Sequence, residues 1–466
     1  MNLFTSLELG KRALFASSLA LDVAGENIAN VNTPGYTRRR VELSEAPGTY
    51  QGRLYLGSGV SAETVTRVVD RLLEAQVRSE QEGVGRQTAT SDGLSQIEQL
   101  LNESGGGGLS SAFSAFYSSW SSLAGSADSA ALRRAVVSSA DTLAATIRRQ
   151  AAGLAQIRTQ ADQGATDTLT RVSALTKDIA DLNGKISSTE AGGAQALDLR
   201  DARSQKLREL AGLVDINVAD GPKGSVYVAL AGTGDTLVVE DRATAPAVTR
   251  DATGLARLVV NRGGASVDIT DRIRGGTLGG QLHLRDDLAA GYQSNLDKLA
   301  ADLISRVNTL HAAGLDAHGQ PGGSFFAPTA PGASAAATIA VSSTVLADSS
   351  LVAAGGSASV GDGSNALAIA GLESQTSAAL GGRTHTAFLA ELQTSVGNDA
   401  QTASSGLQTA QSALTAADSR LQSLSGVSPD EEAAALLQYQ RSYEAAARFI
   451  ATVNEMTKVA LDQIHT

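Results

Sequence analysis

An apolar residue recurs every seventh position at the start of the chain, and a second apolar stripe runs close to its end. The first stripe consists of Leu7, Leu14, Leu21 and Ile28. Heptad spacing places such side chains on one face of an α-helix, where they pack against a partner helix. We therefore predict two amphipathic helices that pair with each other or with copies of themselves in neighbouring subunits. The second stripe consists of Leu436, Tyr439, Tyr443, Ala446, Ile450, Val453 and Ile464.

The first helix is predicted to span residues 3–29 and to stop in an asparagine-rich turn. Asn30 and Asn32 favour a helix end, because asparagine tolerates the left-handed backbone conformation. Pro34 followed by Gly35 fits the two central positions of a type II turn. This end of the chain therefore contributes the following candidate contact residues: Leu7, Leu14, Leu21, Asn27, Ile28, Asn30, Asn32, Thr33, Pro34, Gly35 and Tyr36.

Between the two ends the periodicity changes four times. Residues 68–213 have helical spacing, residues 214–275 alternate with the period of two that is typical of strands, and helix resumes near Gly280. The stretch 314–383 is rich in Gly, Ala and Ser and has no clear period, and a further long helix is predicted up to Leu424. Strands are predicted at 225–230, 236–239, 255–260 and 266–270.

These patterns predict an elongated, mainly α-helical chain with an inserted β domain. The N- and C-terminal helices pair as a coiled-coil assembly domain made of residues 1–67 and 425–466. A helical rod domain made of residues 68–213 and 276–424 forms the middle, and 314–383 is its irregular part. The inserted antiparallel β domain covers residues 214–275.

The composition favours long helical contacts over one dense core. Only 18% of the 466 residues are charged and only 4% are aromatic, and small side chains bury little apolar area each. Phe113, Phe116 and Trp120 share one helical face, which predicts core packing and not ligand stacking. The chain contains no cysteine, which removes disulfides and thiolate chemistry and is compatible with export as an unfolded chain.

The net charge of −11 argues against nucleic acid as the main partner, because phosphate binding needs a basic face. The one basic cluster, Arg38–Arg40, is predicted to be solvated or to contact a neighbouring subunit. Lys11 and Arg12 precede an apolar run in the manner of a signal peptide, but Glu8 and Asp22 interrupt that pattern, so an amphipathic helix is predicted. No apolar run is long enough to predict a membrane span.

No catalytic, cofactor-binding or metal-binding group of residues is predicted, and therefore no enzyme. Gly57–Ala62 resembles a degenerate dinucleotide fingerprint but lacks the required βαβ context. Asp215–Gly221 begins like a calcium loop, yet Ala219 occupies a ligand position, so we interpret the segment as a turn. The histidines are scattered, without a metal-ligand spacing or a nearby set of carboxylates: His283, His311, His318, His385 and His465.

Both chain ends resemble one family. Residues Ala24–Tyr36 closely resemble the N-terminal signature of bacterial flagellar rod, hook and hook-associated proteins, and Glu431–Ala447 is similar to that family's terminal helix. Hook and distal-rod members are predominantly β between these shared ends, whereas this interior is helical. The interior segments that resemble the hook-associated protein 1 branch of the family are 113–117, 133–136, 197–201 and 279–311.

The resemblance implies a structural role at the junction between the flagellar hook and filament. It implies terminal helices that line the inner tube, a rod in the middle layer and a β domain that faces outward. The implied partners are further copies in a ring, the hook protein, a second junction protein or the flagellin side of the filament, and an export chaperone on the C-terminal helix. The implied location is extracellular, after type III export without a cleaved signal peptide; no cofactor, nucleic acid or membrane insertion is expected.

Two alternatives stay open at this stage. A hook or distal-rod axial protein would have the same ends and a different position in the axial structure. A secreted adhesin or effector would use its coiled ends only to oligomerise.

Overall fold

The computed structural model describes residues 3–51, 53–101, 108–359 and 361–464. It is mainly helical, with a small inserted sheet region and a long helix at each end, which confirms the predicted fold class. Helix α1 spans Leu3–Ala29, so the first predicted helix is confirmed at both ends.

A β-hairpin arm follows α1. Strands β1 (Arg39–Glu45) and β4 (Val60–Arg67) pair antiparallel, from Arg39 opposite Arg67 to Glu45 opposite Val60. At the tip of the arm the short strands β2 (Thr49–Gln51) and β3 (Leu54–Leu56) pair antiparallel. Gly59 packs against Leu9, so the arm lies along α1 and returns towards its N-terminal end.

Four helices form the first half of the rod. They are α2 (Arg71–Leu101), α3 (Leu109–Gly125), α4 (Ala130–Glu190) and α5 (Leu197–Leu213). Helix α4 has 61 residues, and at 1.5 Å per residue it is about 90 Å long. The connection between α2 and α3 lies mostly outside the described residues. A break at 126–129 was not predicted; there Ser129 accepts the Leu132 N–H at 3.3 Å and caps α4.

The β domain is entered after α5 and contains two antiparallel sheets. The first sheet has the order β5 (Ile216–Asp220), β6 (Val226–Leu230), β7 (Thr236–Val239) and β8 (Arg242–Ala243). The second has the order β11 (Ala265–Asp268), β10 (Ala256–Arg262) and β9 (Ala247–Arg250).

Strands β6, β7, β10 and β11 confirm the four predicted strands, but the interpretation of Asp215–Gly221 as a turn is wrong. Residues 216–220 form β5, in which Ile216 lies opposite Leu230 and Val218 opposite Val228. The alternation of two apolar residues is too short to be recognised in the sequence, and pairing with β6 decides it.

The chain returns to the rod through α6 (Gly276–His283), a π-helical turn (Leu284–Leu288) and α7 (Ala289–Ala313). The predicted irregular stretch contains only the short helices α8 (Ala335–Thr338), α9 (Ser343–Ala347) and α10 (Ser364–Ala370), together with turns and isolated bridges. Two long helices complete the chain, α11 (His385–Ser425) and α12 (Pro429–Ile464).

Two large cores stabilise the rod. Phe113, Phe116 and Trp120 are fully buried with Phe325 and Phe326 from the irregular stretch, which confirms the predicted core packing of the aromatic trio. The second core joins the later half of α4 to α5, α6 and the β domain. The irregular stretch is therefore part of the rod core, and the β domain shares a core with the rod.

Candidate functional site

The two ends of the chain pack against each other as an antiparallel helix pair. Near its N-terminus α1 meets the middle of α12, since the Gly10 Cα faces Ile450. Near its C-terminus α1 meets the start of α12, since the Asn27 side chain contacts Glu432 at 3.0 Å. Of the two pairings that the heptads predict, the one within a single chain is therefore formed.

Small residues form the contact face of α1. A Cβ atom added at Gly10 would lie 2.7 Å from Ile450 Cγ1, so the two helices approach too closely for a side chain there. The predicted stripe of Leu7, Leu14, Leu21 and Ile28 is only half-buried and flanks this face. The buried residues of α1 are Ser6, Gly10, Ala16, Ala20, Val23, Ala24 and Asn27.

The predicted stripe on α12 faces α1 along most of its length. Ala446 and Val453 are buried, and Leu436, Tyr439 and Ile450 are half-buried. Tyr443 lies at the margin with 37% of its surface exposed. The side chain of Ile464 lies outside the described residues.

Asn27 is the polar centre of this pair, and it is 99% buried, with 1% of its surface exposed. Its Nδ2 donates to the Arg39 carbonyl oxygen and to Glu432 Oε2, both at 3.0 Å. Its Oδ1 accepts the Arg39 N–H at 3.0 Å and the Tyr36 hydroxyl at 2.9 Å. One amide thus uses its full hydrogen-bonding capacity to join α1, the start of the arm and α12.

Arg38 fastens the same point to the beginning of α12. Its guanidinium lies 2.7 Å from Glu432 Oε1 and 2.9 Å from Glu431 Oε2, and its N–H donates to the Ser425 carbonyl oxygen at 2.9 Å. The carboxylates also suit the positive end of the α12 dipole. Arg38 is therefore not a freely solvated side chain, because it is held within its own chain, whereas Arg40 is exposed and pairs with Glu42.

Arg39 joins the terminal helices to the rod. Its side chain is 6% exposed and pairs with Glu26 of α1 and Asp198 of α5, and its guanidinium lies 4.9 Å from the centre of the Tyr36 ring. Burial raises the pKa of Tyr36 to about 12, so its hydroxyl remains a donor to Asn27. The predicted exposure of Arg39 is thus also wrong, because its acidic partner on α5 is distant in sequence.

A second ion pair supports the same contact, between Arg67 at the end of the arm and Asp201 of α5 at 2.7 Å. Both side chains are nearly buried. Asp198 and Asp201 thus face two arginines of the β1–β4 hairpin, which fixes α5 against the terminal pair. Buried pairs of this kind are costly to break, because one charge is left unpaired in the interior.

The turn after α1 has the predicted type. Gly35 has φ +79°, and the Tyr36 N–H donates to the Thr33 carbonyl oxygen at 3.1 Å, as in a type II turn. Asn30 does not adopt the predicted left-handed conformation; its Nδ2 instead donates to the Glu26 carbonyl oxygen at 3.0 Å. Asn32 is exposed. The turn lines a groove of about 410 Å³ together with the end of α11.

Several large apolar side chains of the terminal pair remain exposed on one chain. Phe4 and Phe15 of α1 have 76% and 62% of their surface exposed. Scattered apolar residues are normal on protein surfaces, but a concentration on two neighbouring helices marks an interaction site. The exposed members on α12 are Leu437, Phe449, Met456, Val459 and Leu461.

Two histidines have carboxylate partners that the sequence did not reveal. His385 is fully buried, with its Nε2 3.0 Å from Asp302 Oδ2 and its Nδ1 2.9 Å from the Tyr117 hydroxyl. His283 lies 2.7 Å from Asp287, four residues further along the chain. Each is a single carboxylate contact and not the set of ligands that a zinc site requires. Within the described residues, no group of three or more histidine and acidic side chains could hold a metal ion.

Among the described helices, none is long and apolar enough to cross a membrane. The apolar run after Lys11 and Arg12 forms part of α1 and packs on α12, as the predicted amphipathic helix requires.

Three family models match the chain. Residues 94–326 match the flagellar hook-associated protein FlgK helical domain. Residues 7–37 match a flagella basal body rod protein model, and residues 421–463 match the C-terminal model of the flagellar basal body rod FlgEFG proteins. The two terminal matches coincide with the ends that pack together here.

Curated relatives carry the corresponding name. Flagellar hook-associated protein 1 of Bacillus subtilis (strain 168) is 26% identical over 97% of this chain and 97% of its own length. The protein of that name from Salmonella typhimurium is 28% identical over 68% of this chain and 58% of its own length. The chain thus spans less than two thirds of that longer relative.

A solved structure has a similar fold. The flagellar hook junction protein FlgK from Burkholderia pseudomallei superposes with a TM-score of 0.66 at 17% identity, over 75% of this chain and 99% of that one. At this level of identity the likeness establishes the fold.

Proposed function

Because this chain belongs to the flagellar hook-associated protein FlgK family, whose helical-domain model matches half of its length, we propose that it is a structural subunit at the junction between the flagellar hook and filament. The observation that carries the proposal is the match to the helical domain, since rod and hook proteins share only the ends. The relatives named hook-associated protein 1 support the same conclusion. This family is a structural one, and flagellar location and assembly with other flagellar components follow from it.

We propose that copies of the chain assemble through the α1–α12 pair. The exposed apolar side chains of both helices support this, because burying each one is worth about 1.5–3 kcal/mol. Asn27, Arg38 and Arg39 hold the pair at one angle to the rod within each subunit. These contacts fix α1 and α12 relative to the rod in each subunit. The exposed apolar surface of the helix pair then meets that of the next copy.

The remaining contacts are part of the same proposal. The hook protein would lie on one side of a ring of copies, and a second junction protein or the flagellin side of the filament on the other. An export chaperone would cover the C-terminal helix beforehand, which the exposed apolar side chains of α12 support. The protein would reach the outside of the cell by type III export without cleavage of a signal peptide.

We also propose the division into a terminal assembly domain (1–67 and 425–466), a rod (68–213 and 276–424) and an inserted β domain (214–275). The antiparallel pairing of α1 with α12 and the confinement of β5–β11 to residues 216–268 support it.

Electron microscopy of a deletion strain tests the junction role. We expect hooks without filaments and flagellin released into the medium. Absence of hooks would identify an axial protein closer to the cell, and normal filaments would identify a secreted adhesin or effector. Either result contradicts the proposal.

Assembly through the terminal pair is tested by Ile450→Asp, which places a charge against Gly10. We expect an exported chain with a folded rod that is not incorporated and supports no filament. Asn454→Asp is the matched control, because it adds the same charge at an exposed position of the same helix. Normal filament attachment with Ile450→Asp would refute the role of this contact.

A further inference from the structure

The β domain joins the rod through two chain crossings that touch each other. The outgoing crossing runs from the last residue of α5 to Asp215 (213–215), and the return crossing runs up to the first residue of α6 (273–276). Gly276 has φ +64°, and a Cβ atom added there would lie 2.4 Å from the backbone nitrogen of Val214. The two crossings therefore pack backbone against backbone, with no room for a side chain between them.

Both crossings rest on α2. A Cβ atom added at Gly85 would lie 2.1 Å from the Gly212 carbonyl oxygen and 3.0 Å from the Thr277 nitrogen. Glu82 lies about one turn before Gly85 on α2. A Cβ atom added at Gly275 would lie 2.0 Å from Glu82 Oε1 and 2.7 Å from Asp215 Cβ. Glu82 and Asp215 thus approach the same glycine of the return crossing.

These two carboxyl groups are only partly compensated: backbone N–H groups of Asp215 and Gly232 bond the Asp215 carboxylate, and Arg86 lies near Glu82. Asp215 is 7% exposed, and its Oδ1 is buried without a hydrogen-bond partner among the described residues. Burial raises the pKa of Asp215. Burial, and then the charge of Asp215, raise the pKa of Glu82, which Arg86 opposes.

The other elements around the pair add no further charge to it. The end of α5 contributes Gly212 and contacts the uncharged Gln81, and the loop after β6 contributes Gly232. The return crossing contributes the Arg272 carbonyl oxygen beside Gly232, whereas the side chains of Arg272 and Arg274 are exposed. At neutral pH two negative groups therefore lie beside the same glycine of the junction, with Arg86 as the nearby cation.

We propose that Glu82 and Asp215 form a proton-sensitive clamp, which holds the two crossings against α2 more tightly in weak acid than at neutral pH. Uptake of one proton removes the repulsion between the two carboxylates and the cost of keeping both charged in the buried junction. The sign follows from the raised pKa of both carboxyl groups. Each group binds a proton more readily in the folded chain, so its protonation stabilises the folded junction at low pH. This stabilisation is lost as pH rises through the pKa of the folded state.

Amide hydrogen exchange of the intact chain tests the clamp at residues 213–216, 231–234 and 272–277. After correction for the intrinsic effect of pH on exchange, we expect these amides to be protected several-fold better in wild type at pH 4.5 than at pH 7. Glu82→Gln should give the higher protection already at pH 7 and should remove the change with pH. Glu82→Ala serves as a second variant that also removes the charge.

Asp92→Asn is the matched control, because Asp92 is an exposed acid on the same helix, and it should behave as wild type. The clamp is overturned if Glu82→Gln and Glu82→Ala both leave protection at pH 7 unchanged or lower it. It is also overturned if Asp92→Asn raises protection at the crossings as much as Glu82→Gln does.

Discussion

Replacing Asn27 by alanine should open the terminal helix pair while the rod remains folded. The substitution removes four hydrogen bonds, two with the backbone of Arg39 and one each with Glu432 and Tyr36. Since the site is buried, the groups left behind have no ready replacement partner except a water that enters the small space.

The expected magnitude follows from these losses. A buried hydrogen bond contributes about 1 kcal/mol net, so the four together predict a loss of about 3–4 kcal/mol in the free energy of opening. At 1.4 kcal/mol per tenfold change, the opening equilibrium should rise roughly 100- to 1,000-fold. Glu432 keeps its ion pair with Arg38, which prevents the larger loss expected for an isolated buried charge.

Amide hydrogen exchange measures this opening directly, because exchange of buried amides tracks the local opening equilibrium. Amides of α1, β1 and the first turns of α12 should exchange faster in Asn27→Ala, whereas those around Trp120 in the rod core should not change. Asn32→Ala is the matched control, since Asn32 belongs to the same motif but is exposed.

Two results would refute the reasoning. Exchange in Asn27→Ala within about twofold of wild type would mean that the four hydrogen bonds do not hold the pair together. An equally large effect of Asn32→Ala would mean that the motif acts through something other than the buried amide.

Three further predictions follow from the same structure. Gly10→Val should force α1 and α12 apart and cost about 1–3 kcal/mol, seen as faster proteolysis of both termini, whereas Gly25→Ala meets nothing within 4 Å and should be neutral. Gly35→Ala should destabilise the turn by about 1–2 kcal/mol, because Gly35 has φ +79° and faces Gln205. Pro34→Ala should cost less in the same unfolding assay, and equal tolerance of both substitutions would exclude the type II turn. Burial lowers the pKa of His385, and the nearby Asp302 offsets this only in part. The unfolded chain therefore takes up a proton near pH 6.5 that the folded chain refuses, and rod stability should fall as pH drops below about 6.5. His385→Gln should remove that slope in urea titrations and His318→Gln, at an exposed position, should retain it; an unchanged slope in His385→Gln would contradict the assignment.

Local patterns predicted the elements whose causes are local. The bounds of α1, the type II turn and strands β6, β7, β10 and β11 follow from side-chain periodicity and from the backbone preferences of Asn, Pro and Gly. Strand β5 was missed because its two apolar residues make sense only opposite β6. The burial of Arg39 was missed for a similar reason, since its acidic partner Asp198 lies on α5.

The contact face of the terminal pair shows the same division. The heptad residues of α1 are only half-buried beside the contact face, and small residues around Gly10 form the closest contact. How nearly two helix axes approach depends on both surfaces together, and one helix sequence contains only half of that information. Spacings of three and four residues occur both among the large apolar residues of α1 and among its alanines. Spacing alone therefore does not show which of the two sets forms the contact face.

The sequence by itself determined the helical class, the inserted strands and the identity of the two ends, because periodicity and turn chemistry act over a few residues. Only the tertiary structure brought Asn27 to Glu432, 405 positions away, and Arg39 to Asp198 and His385 to Asp302. Buried polar groups must find partners wherever the packing of the helices places them. Their pairing is a property of the whole fold, which no local pattern of residues can specify.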